Sequence, residues 1–136
     1  MDLSEAIDAL RARNEPVPLP LRLPTDKEIT DAERQLGLAF PADYRRYLRD
    51  ASDVVFGTLE PCVVTPDAGY LDLVQTCRAA WDLGVPRDWL PICQDNGDYY
   101  CLAGPAVRFW SHDGAADEGW PDLATWIMEV WIGEAD

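Results

Sequence analysis

The tetrapeptide Asp95-Asn96-Gly97-Asp98 lies between two short apolar runs, Leu90 to Gln94 and Tyr99 to Leu102. An Asn-Gly pair accepts the positive φ angles of a tight turn at little steric cost, so the two runs are predicted to pair as an antiparallel hairpin. Val107 to Ser111 continues this hairpin into a meander, and His112 to Gly119 reads as a polar Gly/Asp loop. Side chains alternate along a strand, so only one of Tyr99 and Tyr100 can face a core. The other is expected on an exposed or partner-covered face.

Helical periodicity surrounds the meander. Leu3, Ile7 and Leu10 form one apolar stripe over residues 1–13. Residues 14–24 hold four prolines alternating with apolar residues, which suits an extended connector against the body and excludes helix; a proline-recognition ligand is the lesser reading. Thr25 and Glu28 make a capping box ahead of Ile29, Ala32 and Leu36, and Gly37 follows where a left-handed stop is wanted. Phe40-Pro41 opens the next helix, with Tyr44, Tyr47, Leu48 and Ala51 on one face. Arg45, Arg46 and Arg49 occupy its other face and are expected to pair with acids such as Asp43, Asp50 and Asp53 rather than form an anion site. Val54 to Gly57 and Cys62 to Thr65 are β-branched runs bounded by Gly or Pro and read as strands. Residues 69–84 return to helical spacing through Leu71, Val74, Cys77 and Trp81, ending at Gly84 and Pro86. Leu123, Trp126, Ile127, Val130 and Trp131 give a closing amphipathic helix that buries two indoles.

The fold class that follows is α+β: an antiparallel β-meander sheet packed against N-terminal, middle and C-terminal helices. At 136 residues the chain suits one domain, residues 1–136, with a core over 25–131 and residues 1–24 as an N-terminal helix and Pro-rich connector. No apolar run approaches the roughly 20 residues needed to cross a bilayer, and the first residues place acids where a secretory signal carries bases, so a cytoplasmic location is expected. Cys62, Cys77, Cys93 and Cys101 form no CxxC pair and read as buried thiols rather than metal ligands.

Charge is distributed unevenly. The net charge is −14; residues 1–50 hold ten acids and eight bases, whereas residues 51–136 hold fifteen acids and three bases. Such a surface repels phosphate backbones and speeds encounter with cations, so a basic protein is the natural partner and nucleic acid is disfavoured. Acidity also serves solubility alone. Signatures for phosphate, dinucleotide, serine-hydrolase and zinc-protease chemistry are absent, as is the twelve-residue spacing that would make Asp95 to Asp98 part of a calcium loop. His112 beside Asp113 is the one imidazole available for acid–base work, and with no demonstrated nucleophile it reads first as a loop or packing residue. No catalytic residue, cofactor site or metal site is therefore expected. What remains is a set of candidate partner contacts, Asp95, Asp98, Tyr99, Asp113, Asp117 and Glu118, with Tyr100, Trp110 and Trp120 nearby; aromatic anchors among carboxylates suit recognition of a basic surface.

The segment Phe40-Pro41-Ala42-Asp43-Tyr44-Arg45-Arg46-Tyr47-Leu48 resembles the "LP-x-x-Y-x-x-F/Y-L" helix of the SUKH superfamily. Three further pieces agree: TDKEITDAERQLGLAFP before it, the LPICQDNGDYYCL hairpin, and VRFWSHD ahead of a Trp-rich final helix. Where the family commonly has an Asn-Gly-Gly turn after the tyrosine helix, this chain reads Asp50-Ala51-Ser52-Asp53. Members include a fungal cell-wall-synthesis regulator and many bacterial immunity proteins. The resemblance implies an α+β fold and, for the bacterial type, neutralisation by direct binding of a cognate toxin, commonly one that acts on nucleic acids. The alternative it implies is a regulatory scaffold binding an endogenous partner. The motifs mark fold, and no contact residue carries over from them.

Overall fold

A computed structural model describes residues 2–114 and 117–133. Five α-helices and a four-stranded antiparallel sheet are laid down in the order α1 (Leu3–Ala12), α2 (Asp26–Leu36), α3 (Ala42–Ala51), α4 (Leu73–Leu83), β1 (Leu90–Asp95), β2 (Asp98–Ala103), β3 (Ala106–Trp110), β4 (Gly119–Trp120) and α5 (Leu123–Trp126) among the described residues. The sheet order is β1-β2-β3-β4, an uncrossed meander. The α+β class and its packing are those the sequence implies.

The turn that organises the meander has the backbone its residues favour: Asn96 and Gly97 take φ of 53° and 87°. Asp95 then pairs directly with Asp98, and the register runs out to Leu90 against Leu102, with an irregularity between Pro91 and Cys93. Pro91 has no N–H to give to the ladder, which is why the irregularity falls there. β4 was not legible in the sequence. It comes close to β3 because Gly119 has no side chain: a Cβ there would lie 3.2 Å from the Val107 carbonyl oxygen.

Helix boundaries follow side-chain chemistry. Thr25 Oγ accepts from the Glu28 N–H at 3.2 Å and the Glu28 carboxylate accepts in return from the Thr25 N–H at 2.9 Å, closing the capping box that starts α2. Gly37 ends the helix at φ 70°. In α3, Tyr44, Tyr47, Leu48 and Ala51 are buried as the spacing requires. Its end departs from the family's glycine turn: Ser52 stays in right-handed backbone and its hydroxyl donates to the Leu48 carbonyl at 2.6 Å, so no positive φ is needed.

Two expectations are corrected. Residues 54–57 and 62–65 are not strands; Val63 makes only an isolated bridge to Asp72. Cys62 donates its N–H to the Ile92 carbonyl at 2.8 Å, beside β1. The pairing cannot propagate, because Pro61 and Pro91 remove donors on both sides. The 69–84 segment is also not one helix. Gly69–Leu71 is a single tight turn, and Asp72 restarts the chain as the N-cap of α4, accepting from the Gln75 N–H at 2.9 Å. The buried stripe becomes Leu73, Val74, Cys77 and Ala80, with Trp81 half-buried.

One large core joins α1, α2, α3, the first turns of α4, α5 and one sheet face. It begins at Leu3, so α1 belongs to the packed body rather than to an appendage. The 14–24 connector has neither helix nor strand; it is tied at its start by Glu15 N–H to the Val55 carbonyl and by Val55 N–H to Asn14 Oδ1, both 2.8 Å, and leaves Leu19 in solvent. After Trp126 the closing helix widens into π-helical turns over Ile127–Ile132. Both indoles are buried, and Trp131 donates its Nε1–H to the Phe56 carbonyl at 3.0 Å.

Candidate functional site

The β1–β2 turn and the segment after β3 meet at one end of the sheet. Asp98 holds them together. Its Oδ1 accepts the His112 backbone N–H at 3.0 Å and lies 2.6 Å from His112 Nδ1, while His112 Nε2 is 3.4 Å from Asp113. The backbone bond from His112 is the main reason that the Asp98 carboxyl titrates below its ordinary value; conversely, the bond to Asp98 raises the His112 imidazole above its ordinary value. Both ring nitrogens of His112 thus face carboxylates. Ser111 Oγ accepts from the Asp113 N–H at 3.2 Å, and its hydroxyl also supports Asp98. This is the geometry of a loop clamp, and among the described residues no hydroxyl or thiol is hydrogen-bonded to the imidazole.

Three of the candidate contacts are therefore brought together: Asp95 and Asp98 face each other across the turn, and Asp113 stands beside His112. Asp117 and Glu118 lie further along, on the approach to β4, and are exposed. Asp117 shares a shallow depression with Arg108 and Trp120. Glu118 lends its carbonyl to the Phe109 N–H at 3.1 Å. Ala115 and Ala116 of the same loop lie outside the described residues.

Tyr99 is corrected as an open contact, and with it the expectation that one of the two tyrosines faces outward. Alternation holds, yet both are buried, at 2% and 5% exposure. Tyr100 joins the main core, its ring 4.9 Å from Phe109, 5.7 Å from Trp120 and 5.3 Å from Trp126. Tyr99 faces the opposite side, where Ala80, Val85 and Cys101 form a second small core edged by Trp81, Trp89 and Trp110. The last turn of α4 and the loop after it cover that face, so the meander is packed on both sides.

The arginines of α3 pair with acids, two of them with Asp50 as expected and one with an acid of another helix. Arg45 bonds Glu33 of α2, Arg46 reaches Asp50 and Ser4, and Arg49 reaches Asp50, while Asp53 is taken by Arg11 of α1 at 2.8 Å. Partners from other helices were invisible to a one-helix reading. Seven of the eight bases of residues 1–50 are thus ion-paired, whereas of the fifteen acids of residues 51–136 only Asp53 pairs with a Lys or Arg among the described residues.

A cleft missed by the sequence reading opens beside the hairpin end. About 260 Å³ in volume, it is lined by Glu60, Tyr70, Gln75, Thr76, Gln94 and Tyr99 among others. Tyr70 stands at 78% exposure and donates its hydroxyl to Glu60 at 2.5 Å. The residues come from the loop before α4, from α4 and from β1–β2, so only the tertiary fold assembles them. The four cysteines are free and buried; burial pushes the Cys62 thiol up to about 12 and the other three well above the usual range. Among the described residues no group of three or more His, Cys, Asp or Glu could hold a metal ion, and no helix is long and apolar enough to cross a membrane.

Helices bracketing a four-stranded meander with an acidic hairpin end define a small α+β domain. The chain belongs to the SUKH family: the family model SUKH_5, described as SMI1-KNR4 cell-wall, matches residues 3–132. Among solved structures it is similar to a protein from Pseudomonas syringae pv. tomato, with 42% identity, a TM-score of 0.90, and coverage of 96% of this chain and 98% of that one. No curated protein matches the sequence.

Proposed function

We propose that this chain is a cytoplasmic, non-catalytic immunity protein that neutralises a basic toxin, one that acts on nucleic acid, by binding it directly. The observation that carries the reading is the charge asymmetry: residues 51–136 hold fifteen acids against three bases, and at the hairpin end Asp95 and Asp113 have no Lys or Arg partner among the described residues. A toxin that grips phosphates must present a cationic cleft, and a carboxylate-rich surface is its electrostatic complement. Asp95, Asp98, Asp113, Asp117 and Glu118 are the contacts in this reading, with Asp98 also holding the surface in shape through His112.

Affinity capture of the tagged protein from its own source lysate, at low and at high salt with mass spectrometry of the retained material, tests it. Retention of one basic protein with toxin-like activity, lost as salt rises, is the expected result. An endogenous partner with no toxic activity would transfer the chain to the regulatory-scaffold class, and capture of no basic protein would refute the immunity reading.

A further inference from the structure

The cleft beside the hairpin has the size and chemistry for one long cationic side chain. Its volume of about 260 Å³ lies below the roughly 300–1,000 Å³ of small-molecule pockets. One wall carries the Glu60 carboxylate, whose side-chain partner is the neutral Tyr70 hydroxyl; no ion pair to Glu60 occurs among the described residues. No Lys or Arg lines the cleft. The three bases of the C-terminal part are Arg78, Arg87 and Arg108, and Arg87 is engaged over the Trp81 ring at 4.6 Å. Gln75 and Gln94 supply amide groups, Leu71 and Ala79 supply apolar wall, and the exposed Tyr70 ring offers a flat face at the rim.

We infer that this cleft is the anchor pocket for an arginine side chain of a partner protein, with Glu60 as the guanidinium acceptor and the Tyr70 ring as its stacking platform. Arginine fits better than lysine because its planar head can pair with a carboxylate in two-point fashion while lying on an aromatic face. An arginine seated here would be covered further by the partner that carries it, and arginine is among the residues that most often anchor an interface. The inference deepens the proposed function by naming what the acidic surface grips, and it rests on that reading for the identity of the partner.

The test uses the whole chain and a defined probe. N-acetyl-L-arginine-N-methylamide is titrated against isotope-labelled protein while the Gln75 and Gln94 side-chain amide signals and the Tyr70 ring signals are followed. The neutral isostere N-acetyl-L-citrulline-N-methylamide serves as control. Saturating shifts confined to these groups are expected at a Kd on the order of millimolar. Affinity should fall at least tenfold for citrulline and for Glu60→Gln, an exposed substitution that keeps an acceptor for Tyr70 and leaves the rest of the spectrum unchanged. No saturation with the arginine probe, or equal binding by Glu60→Gln, overturns the assignment. Failure here is separable from failure of the immunity reading. If lysate capture retains a salt-sensitive basic protein that Glu60→Gln holds equally well, the pocket is wrong and the reading stands. If wild type captures no basic protein while the arginine probe still saturates, the reading is wrong and the pocket stands.

Discussion

Replacing Tyr99 by Ala asks whether the second face of the meander is a core or an open surface. The side chain is 2% exposed and packs with Ala80, Val85 and Cys101 under the half-buried rings of Trp81, Trp89 and Trp110. Its ring centroid is 6.0 Å from that of Trp110. Truncating a buried aromatic of this size costs about 3–5 kcal/mol, through lost transfer free energy plus the cavity left behind. The hydroxyl contributes little, since its side-chain partner among the described residues, Gln94 Nε2, is 3.4 Å away, so Tyr99→Phe should stay within about 0.5 kcal/mol of wild type. With a urea dependence of about 2 kcal/mol per molar for a domain of this size, Tyr99→Ala should lower the unfolding midpoint by roughly 2 M. Equilibrium urea unfolding followed by tryptophan fluorescence and by circular dichroism measures it. Tyr100→Ala, on the opposite face, should cost the same about 3–5 kcal/mol. A loss below about 0.5 kcal/mol for Tyr99→Ala beside a full loss for Tyr100→Ala would refute the two-sided packing, because exposed positions tolerate truncation at that level.

Other perturbations have distinct readouts. Glu33 accepts the Phe40 backbone N–H at 2.6 Å and also bonds Arg45, so Glu33→Ala leaves a part-buried donor and a cation unpaired. Unfolding should become easier by about 1–3 kcal/mol, with Glu33→Gln intermediate. His112 should titrate above its ordinary 6.5, followed by the imidazole proton signals in NMR, and return toward that value in Asp98→Asn. The sign follows from linkage. The charged clamp stabilises the folded state below the unfolded histidine pKa and is lost as pH rises through the raised folded value, while the Asp98 contribution is lost only as pH falls through its lowered one. Finally, all four thiols should resist a disulfide reagent in the native protein at neutral pH and react together in urea; a single fast-reacting cysteine would contradict the burial described above.

Local chemistry was legible in the sequence; coverage by distant segments was not. The capping box of Thr25 and Glu28, the left-handed stop at Gly37, the Asn96-Gly97 turn and the tryptophan face of α5 each depend on residues a few positions apart, and each stands where its spacing puts it. The strand readings of 54–57 and 62–65 rested on β-branched composition alone, and prolines in the neighbouring segments denied them a ladder. Tyr99 was placed outward because alternation says which way a side chain points but not what lies there; α4 and the Val85–Trp89 loop do. The same limit hid Glu33 as the partner of Arg45 and hid the cleft, since Glu60, Tyr70, Gln75 and Gln94 are separated along the chain and converge only after folding. The candidate carboxylates were partly grouped by the fold. Asp95, Asp98 and Asp113 share the hairpin end, whereas Asp117 and Glu118 lie along the approach to β4.

Association kinetics between this protein and the basic partner retained by lysate capture, measured by surface plasmon resonance over a salt series, tests the electrostatic claim most directly. A double charge reversal, Asp95→Lys with Asp113→Lys, alters two exposed or half-buried side chains and removes the second carboxylate beside the His112 ring, while Asp98 keeps its bond from the His112 backbone N–H. The expected result is an association rate at least tenfold slower at low salt and a flatter dependence of that rate on ionic strength, with the dissociation rate changed less. An unchanged association rate with an unchanged salt slope would contradict the assignment of this acidic end as the surface that meets the partner.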